Sequence, residues 1–173
     1  MKSLILSFMI LFIVHNPTLA FEIKGEYSSI SYDTDAILEV FNNRLFLGRL
    51  RYLLRGRRAL TVEDEVINKI DVISERIQEI LDMHPDNLHY AMILYDTPRA
   101  LEKHYPGKHN QRYEGACFYS PETDSVFLNA STSSLKIVAH EIGHVVVEKY
   151  FKVKPPVKIH ELLAQFAEKH LGN

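Results

Sequence analysis

From Val66 to Leu81 apolar residues return every third or fourth place, at Val66, Ile67, Ile70, Ile73, Ile77, Ile80 and Leu81. That spacing gathers them on one stripe of a helix. Thr61 at its head, with Glu63 and Asp64 just inside, is the start of a capping box. Before this helix, Glu26–Asp35 alternates well enough for a first strand, and the run from Ala36 to Gly48 reads as a helix or an irregular connection. After it, Leu88–Asp96 is a short apolar run behind a His-Pro-Asp-Asn breaker, which predicts a strand. Thr97-Pro98 opens a short helix that Pro106-Gly107 closes. Pro-Glu-Thr-Asp at 121–124 is a turn between two strands, and a helix from about Leu135 to Phe151 follows, capped by Ser133 or Ser134. Pro155-Pro156 breaks it, and the segment from Lys158 onward forms the last helix. Strand, helix, strand, helix, two strands and two helices make an α+β domain.

The first twenty residues stand apart. Lys2 precedes an apolar run from Leu4 to Val14, and Thr18 and Ala20 occupy the −3 and −1 places before Phe21. This is the three-part layout of a secretory signal peptide. The expected organisation is therefore a signal peptide over 1–20 and one domain over 21–173, secreted or periplasmic. Without Lys2 the formal charge moves from −2 to −3, which gives no reason to expect a nucleic-acid partner. Cys117 is the single cysteine, so no internal disulfide holds the fold, and its plain reading is a buried thiol. Five arginines between Arg49 and Arg58 are interleaved with leucines. They read as a solvated loop or helix end, with an anionic membrane surface as the sharper alternative.

One stretch of the penultimate helix breaks the apolar pattern. Val138 to Val147 is nearly all aliphatic, yet it contains His140, Glu141 and His144. Residues four apart project from the same helix face, so two imidazoles can reach one zinc ion. Glu141, about 100° further round the helix, flanks that ion and can act as general base towards a metal-acidified water. His-Glu-x-x-His is the short pattern that carries this chemistry. Polar groups in a buried helix need partners, and Gly143 between the histidines suits a close backbone crossing.

A further ligand has to come from elsewhere. The extended pattern with a third histidine is excluded, because Val147 and Tyr150 stand at its glycine and histidine places. The last helix offers His160, Glu161, Glu168 and His170. Glu161, in the first turn after Pro155-Pro156, folds back towards the histidines, while Glu168 sits about 10 Å further along the helix. A rival arrangement has His160 binding and Glu161 orienting it.

The run Val138–Phe151, followed by Pro155–Glu168, resembles the gluzincin metallopeptidases, in particular small peptidase-MA-like domains. Glu161, Leu163, Ala164, Gln165 and Phe166 match that family's glutamate-bearing helix. The likeness covers roughly Arg112 to Leu171. It implies a zincin-like (minimal gluzincin) domain with a small mixed sheet, an active-site helix and a C-terminal glutamate-bearing helix. It implies zinc held by His140, His144 and Glu161, with Glu141 as general base and acid. Gln165 stands where many relatives carry an acid that orients a histidine, and its carbonyl can still accept an imidazole N–H. The strand from about Gly115 to Tyr119 would pair with an extended peptide or unfolded protein substrate. His104, Tyr105, Tyr113 and Tyr119 all compete for the oxyanion role. A zincin-like protein that binds metal or a partner without turnover is the alternative reading, which leaves Glu141 without a purpose.

Overall fold

The computed structural model describes residues 21–105 and 117–172, so the predicted signal peptide, the Pro106-Gly107 stop and Tyr113 lie outside the described residues. Five strands form one mixed sheet: β1 (Phe21–Lys24), β2 (Ser28–Tyr32), β3 (Tyr90–Tyr95), β4 (Cys117–Ser120) and β5 (Ser125–Asn129). Their spatial order is β1-β2-β3-β5-β4. β2, β3 and β5 run parallel, and β1 and β4 flank them antiparallel at the two edges. The fold is therefore mixed α+β, as the pattern of elements predicts.

Two features of the N-terminal part differ from the sequence reading. The predicted first strand is β2, and β1 pairs with it as a hairpin, Phe21 opposite Tyr32. Gly25 closes the turn, its N–H donating to Ser28 O at 2.8 Å. Phe21–Lys24 is itself an alternating quartet, too short to stand out by pattern alone. The segment after β2 resolves into α1 (Asp35–Arg44) and a 3-10 helix (Gly48–Leu54), so the arginine-rich stretch is partly helical.

α2 (Val62–Leu81) follows its sequence pattern closely. The Thr61 hydroxyl accepts from Asp64 N at 3.2 Å while Asp64 Oδ2 accepts from Thr61 N at 3.2 Å, so two orphan donors are satisfied reciprocally. Its buried stripe joins Met92 and Leu94 of β3, Val126 and Leu128 of β5, and the valines of α4 (Leu135–Tyr150) in one core. Alternation along the strands sends the next residues to the other face. There Ile93, Phe118 and Phe127 pack with Leu101 of the short helix α3 (Pro98–Glu102).

The turn from β5 into α4 is organised by Asn129, whose Oδ1 accepts from Ser131 N at 3.0 Å and Thr132 N at 3.2 Å. Neither predicted serine caps α4: Ser134 makes no capping bond, and the Ser133 hydroxyl donates back to Asn129 O at 2.7 Å. α5 (Val157–His170) then returns antiparallel along α4. Gly143 permits the close crossing, since a Cβ there would lie 3.0 Å from Ala164 Cα.

Candidate metal centre

His140 and His144 lie on the face of α4 that meets α5, with their Nε2 atoms 3.1 Å apart. Glu161, in the first turns of α5, reaches between them. Its Oε1 is 3.5 Å from His140 Nε2 and its Oε2 is 3.4 Å from His144 Nε2. One donor atom from each of the three residues falls within 4.8 Å of the others, and together they could hold a metal ion. Ligands at about 2.0–2.1 Å on a tetrahedral ion sit about 3.4 Å from one another, so the observed spacings fit such an ion.

The outer nitrogens of the two rings show which protons are present. Glu168 Oε2 lies 3.3 Å from His140 Nδ1. A carboxylate can only accept, so His140 Nδ1 carries a proton towards Glu168, and in the neutral ring that leaves Nε2 as the atom with a lone pair for an ion. His144 is ordered by a longer chain of contacts. His160 Nε2 faces Glu148 Oε2 at 3.3 Å, which assigns that nitrogen the proton and leaves His160 Nδ1 an acceptor. His144 Nδ1, 2.8 Å from His160 Nδ1, must then donate, so its Nε2 is also a lone pair. Burial, reinforced by repulsion from His140 and His160, pushes the His144 pKa down to about 4, which keeps it neutral near pH 7. With both rings neutral and their Nδ1 atoms donating outward, two imidazole lone pairs and a carboxylate converge on one point. A cation satisfies all three at once.

Glu141 is buried, 7 % exposed. Its Oε1 accepts from Cys117 Sγ at 3.2 Å, and the Tyr119 backbone N–H also donates to it. Burial raises its pKa, opposed by the Cys117 contact and by His140. The lone thiol is therefore not an inert filler: it ties the first residue of β4 to the carboxylate one place after His140. Burial and the neighbouring Glu141 carboxylate push the Cys117 pKa well up, so it stays a thiol donor.

Several expectations need correction. Gln165, expected to accept an imidazole N–H, instead donates from Nε2 to Glu161 Oε1 at 2.8 Å and steadies the carboxylate. Glu168 reaches His140 although it lies about 10 Å beyond Glu161 along α5. With the helices antiparallel, the later turn of α5 runs beside the earlier turn of α4, where His140 exposes its outer nitrogen. His160 bears on His144 through the outer nitrogen Nδ1, while Glu161 meets Nε2 of the same ring. Glu148, not singled out from the sequence, stands two places before the end of α4 and anchors His160. A signal existed in His144 and Glu148, which are again four apart. The oxyanion candidates have other neighbours: Tyr119 OH donates to Asp124 Oδ1 at 3.2 Å, and His104 stacks between Tyr95 and Phe127. Tyr105 meets Phe118 edge-on. No protein-family model, curated protein or solved structure matches the chain.

Proposed function

We propose that the protein is a zinc-dependent metallopeptidase of zincin-like, gluzincin type, secreted or periplasmic, with Glu141 as its general base. The observation that carries the reading is the convergence of His140, His144 and the Glu161 carboxylate on one point, with the buried Glu141 next to His140 in the chain. Nitrogen and oxygen donors in this number suit zinc and leave a position open for substrate or water. Zinc held there supplies a Lewis acid and lowers the pKa of a water to about 7. Glu141 takes the proton of the attacking water and returns it to the leaving amine, and its raised pKa moves it towards that work. β4, at the sheet edge beside Glu141, suits pairing with an extended peptide or unfolded segment.

A metal site without turnover is favoured by one observation, that Glu141 already has structural partners in Cys117 and Tyr119. Metal content and proteolysis of an unfolded substrate, measured on the protein and on Glu141→Gln, separate the two readings. About one zinc per chain in both, with cleavage by the unsubstituted protein only, is the expected result. Equal zinc and no cleavage by either would leave the non-catalytic reading. The extracellular address rests on residues 1–20, and N-terminal sequencing of exported material should start at Phe21.

A further inference from the structure

A second site is formed by the stretch between α1 and α2. Residues 44–58 hold six arginines and no acid, and taking those six charges from the net −2 leaves −8 on everything else. Such segregation is costly unless something outside the chain answers it. The segment folds over α2 and encloses a groove of about 480 Å³, within the size range of small-ligand sites.

Its wall is apolar and its rim cationic. Leu45, Leu47 and Leu54 line it, and Phe46 stands at its edge 71 % exposed. Three charged groups on the rim already have partners. Arg57 forms a bidentate pair with Glu75 at 2.6 and 2.7 Å, and Glu65 accepts from Asn42 Nδ2 at 2.8 Å. Lys69 donates to Asn42 O and Oδ1 at 2.9 and 2.8 Å. Burial lowers the Lys69 pKa, opposed by the Glu65 carboxylate and reinforced by Arg51. Among the described residues no carboxylate pairs with Arg51 or Arg55.

We propose that this groove binds a single-chain amphiphile of the fatty-acid class, its alkyl chain on Leu54 and Phe46 over the buried Leu45 and Leu47 and its carboxylate held by Arg51 and Arg55. The guanidinium fork matches a carboxylate, and the apolar wall matches a tail that carries no polar atoms. The chain's own apolar run, Leu4 to Val14, is a poor occupant because it brings Lys2 and no acid to these arginines.

The test is titration of the protein with a fluorescent long-chain fatty acid below its micelle-forming concentration. Saturation near one probe per chain is expected, with displacement by an unlabelled fatty acid and not by the alcohol of equal length. The double variant Arg51→Ala/Arg55→Ala should bind about tenfold more weakly. Arg99→Ala, an exposed arginine on α3, should bind as before. Equal displacement by the alcohol, or full affinity in the double variant, would overturn the proposal. So would binding to anionic phospholipid vesicles without binding of the monomeric probe, which would make the face a membrane surface. The two arginines are exposed, and circular dichroism checks that their loss leaves the fold intact.

Discussion

α2 and α4 are the two long helices of the domain, they share one core, and both bury polar residues among aliphatic ones. In α2 those groups are Asp71, Ser74 and Gln78. Asp71 accepts from Glu26 N and Tyr27 N at 3.3 and 3.4 Å. Ser74 Oγ donates to Ile70 O at 2.9 Å, lies 2.9 Å from Tyr90 OH, and Gln78 donates to Ser74 O at 3.3 Å. Each of these three side chains has a hydrogen-bond partner. In α4 His140 and His144 meet one another and the Glu161 carboxylate within the reach of one ion. Buried polarity alone is thus no mark of a site. What distinguishes α4 is that its polar groups converge on a point where a metal ion fits.

The largest test of this contrast is removal of an inward donor. His144→Ala should abolish stoichiometric zinc, because structural zinc affinity of about 10–16 kcal/mol depends on the full ligand set. Equilibrium dialysis followed by elemental analysis reads the result, and retention of one zinc per chain would break the comparison. In α2 the corresponding loss belongs to packing. Ile77→Ala removes a fully buried side chain and should cost about 2–5 kcal/mol in denaturant unfolding, with zinc affinity unchanged in the folded fraction.

How much of this was legible depended on whether the relevant physics was local. The stripe and cap of α2 are properties of a contiguous segment, and periodicity exposes them directly. The His140–His144 pair is equally local, and Glu161 follows from the helix reversal at Pro155-Pro156. The outer contacts are not local. Glu168 reaches His140 only because α5 runs antiparallel in one particular register, and that register is held by Ala164 against Gly143. The Cys117–Glu141 contact needs β4 placed beside α4, which depends on the strand order of the sheet. Ser134 fails as a cap because Asn129 already organises the turn with its side chain, a competition that propensity does not rank.

Gly143 couples the two kinds of region, since the same contact packs α4 on α5 and sets the spacing of the cluster. Gly143→Ala gains helix propensity but puts a methyl 3.0 Å from Ala164 Cα. Overpacking should outweigh the gain, for a net loss of about 1–3 kcal/mol in unfolding, together with weaker zinc binding as the helices separate. A stabilised variant with unchanged zinc affinity would mean that the crossing is not tight.

The smallest effect should come from the far end of the Glu148–His160–His144 chain. Glu148→Leu removes the acceptor that keeps the His160 proton on Nε2. His160 is then free to hold its proton on Nδ1 and donate it to His144 Nδ1. That tautomer moves the His144 proton to Nε2 and closes one of the three inward lone pairs. Outer-shell losses of this kind typically cost about 10–100-fold in metal affinity, and two steps from the ion the lower end is expected, about tenfold. Competition against a zinc chelator of known affinity measures it. Glu148→Gln should recover most of the loss, because the amide carbonyl still accepts from His160 Nε2. A structural loss would not follow that pattern, since leucine and glutamine remove the same negative charge, and with it the ion pair that Lys154 makes to Glu148 at 2.7 Å. If both variants bind zinc equally, the orientation of His144 is set by packing and not by the proton that Glu148 holds in place.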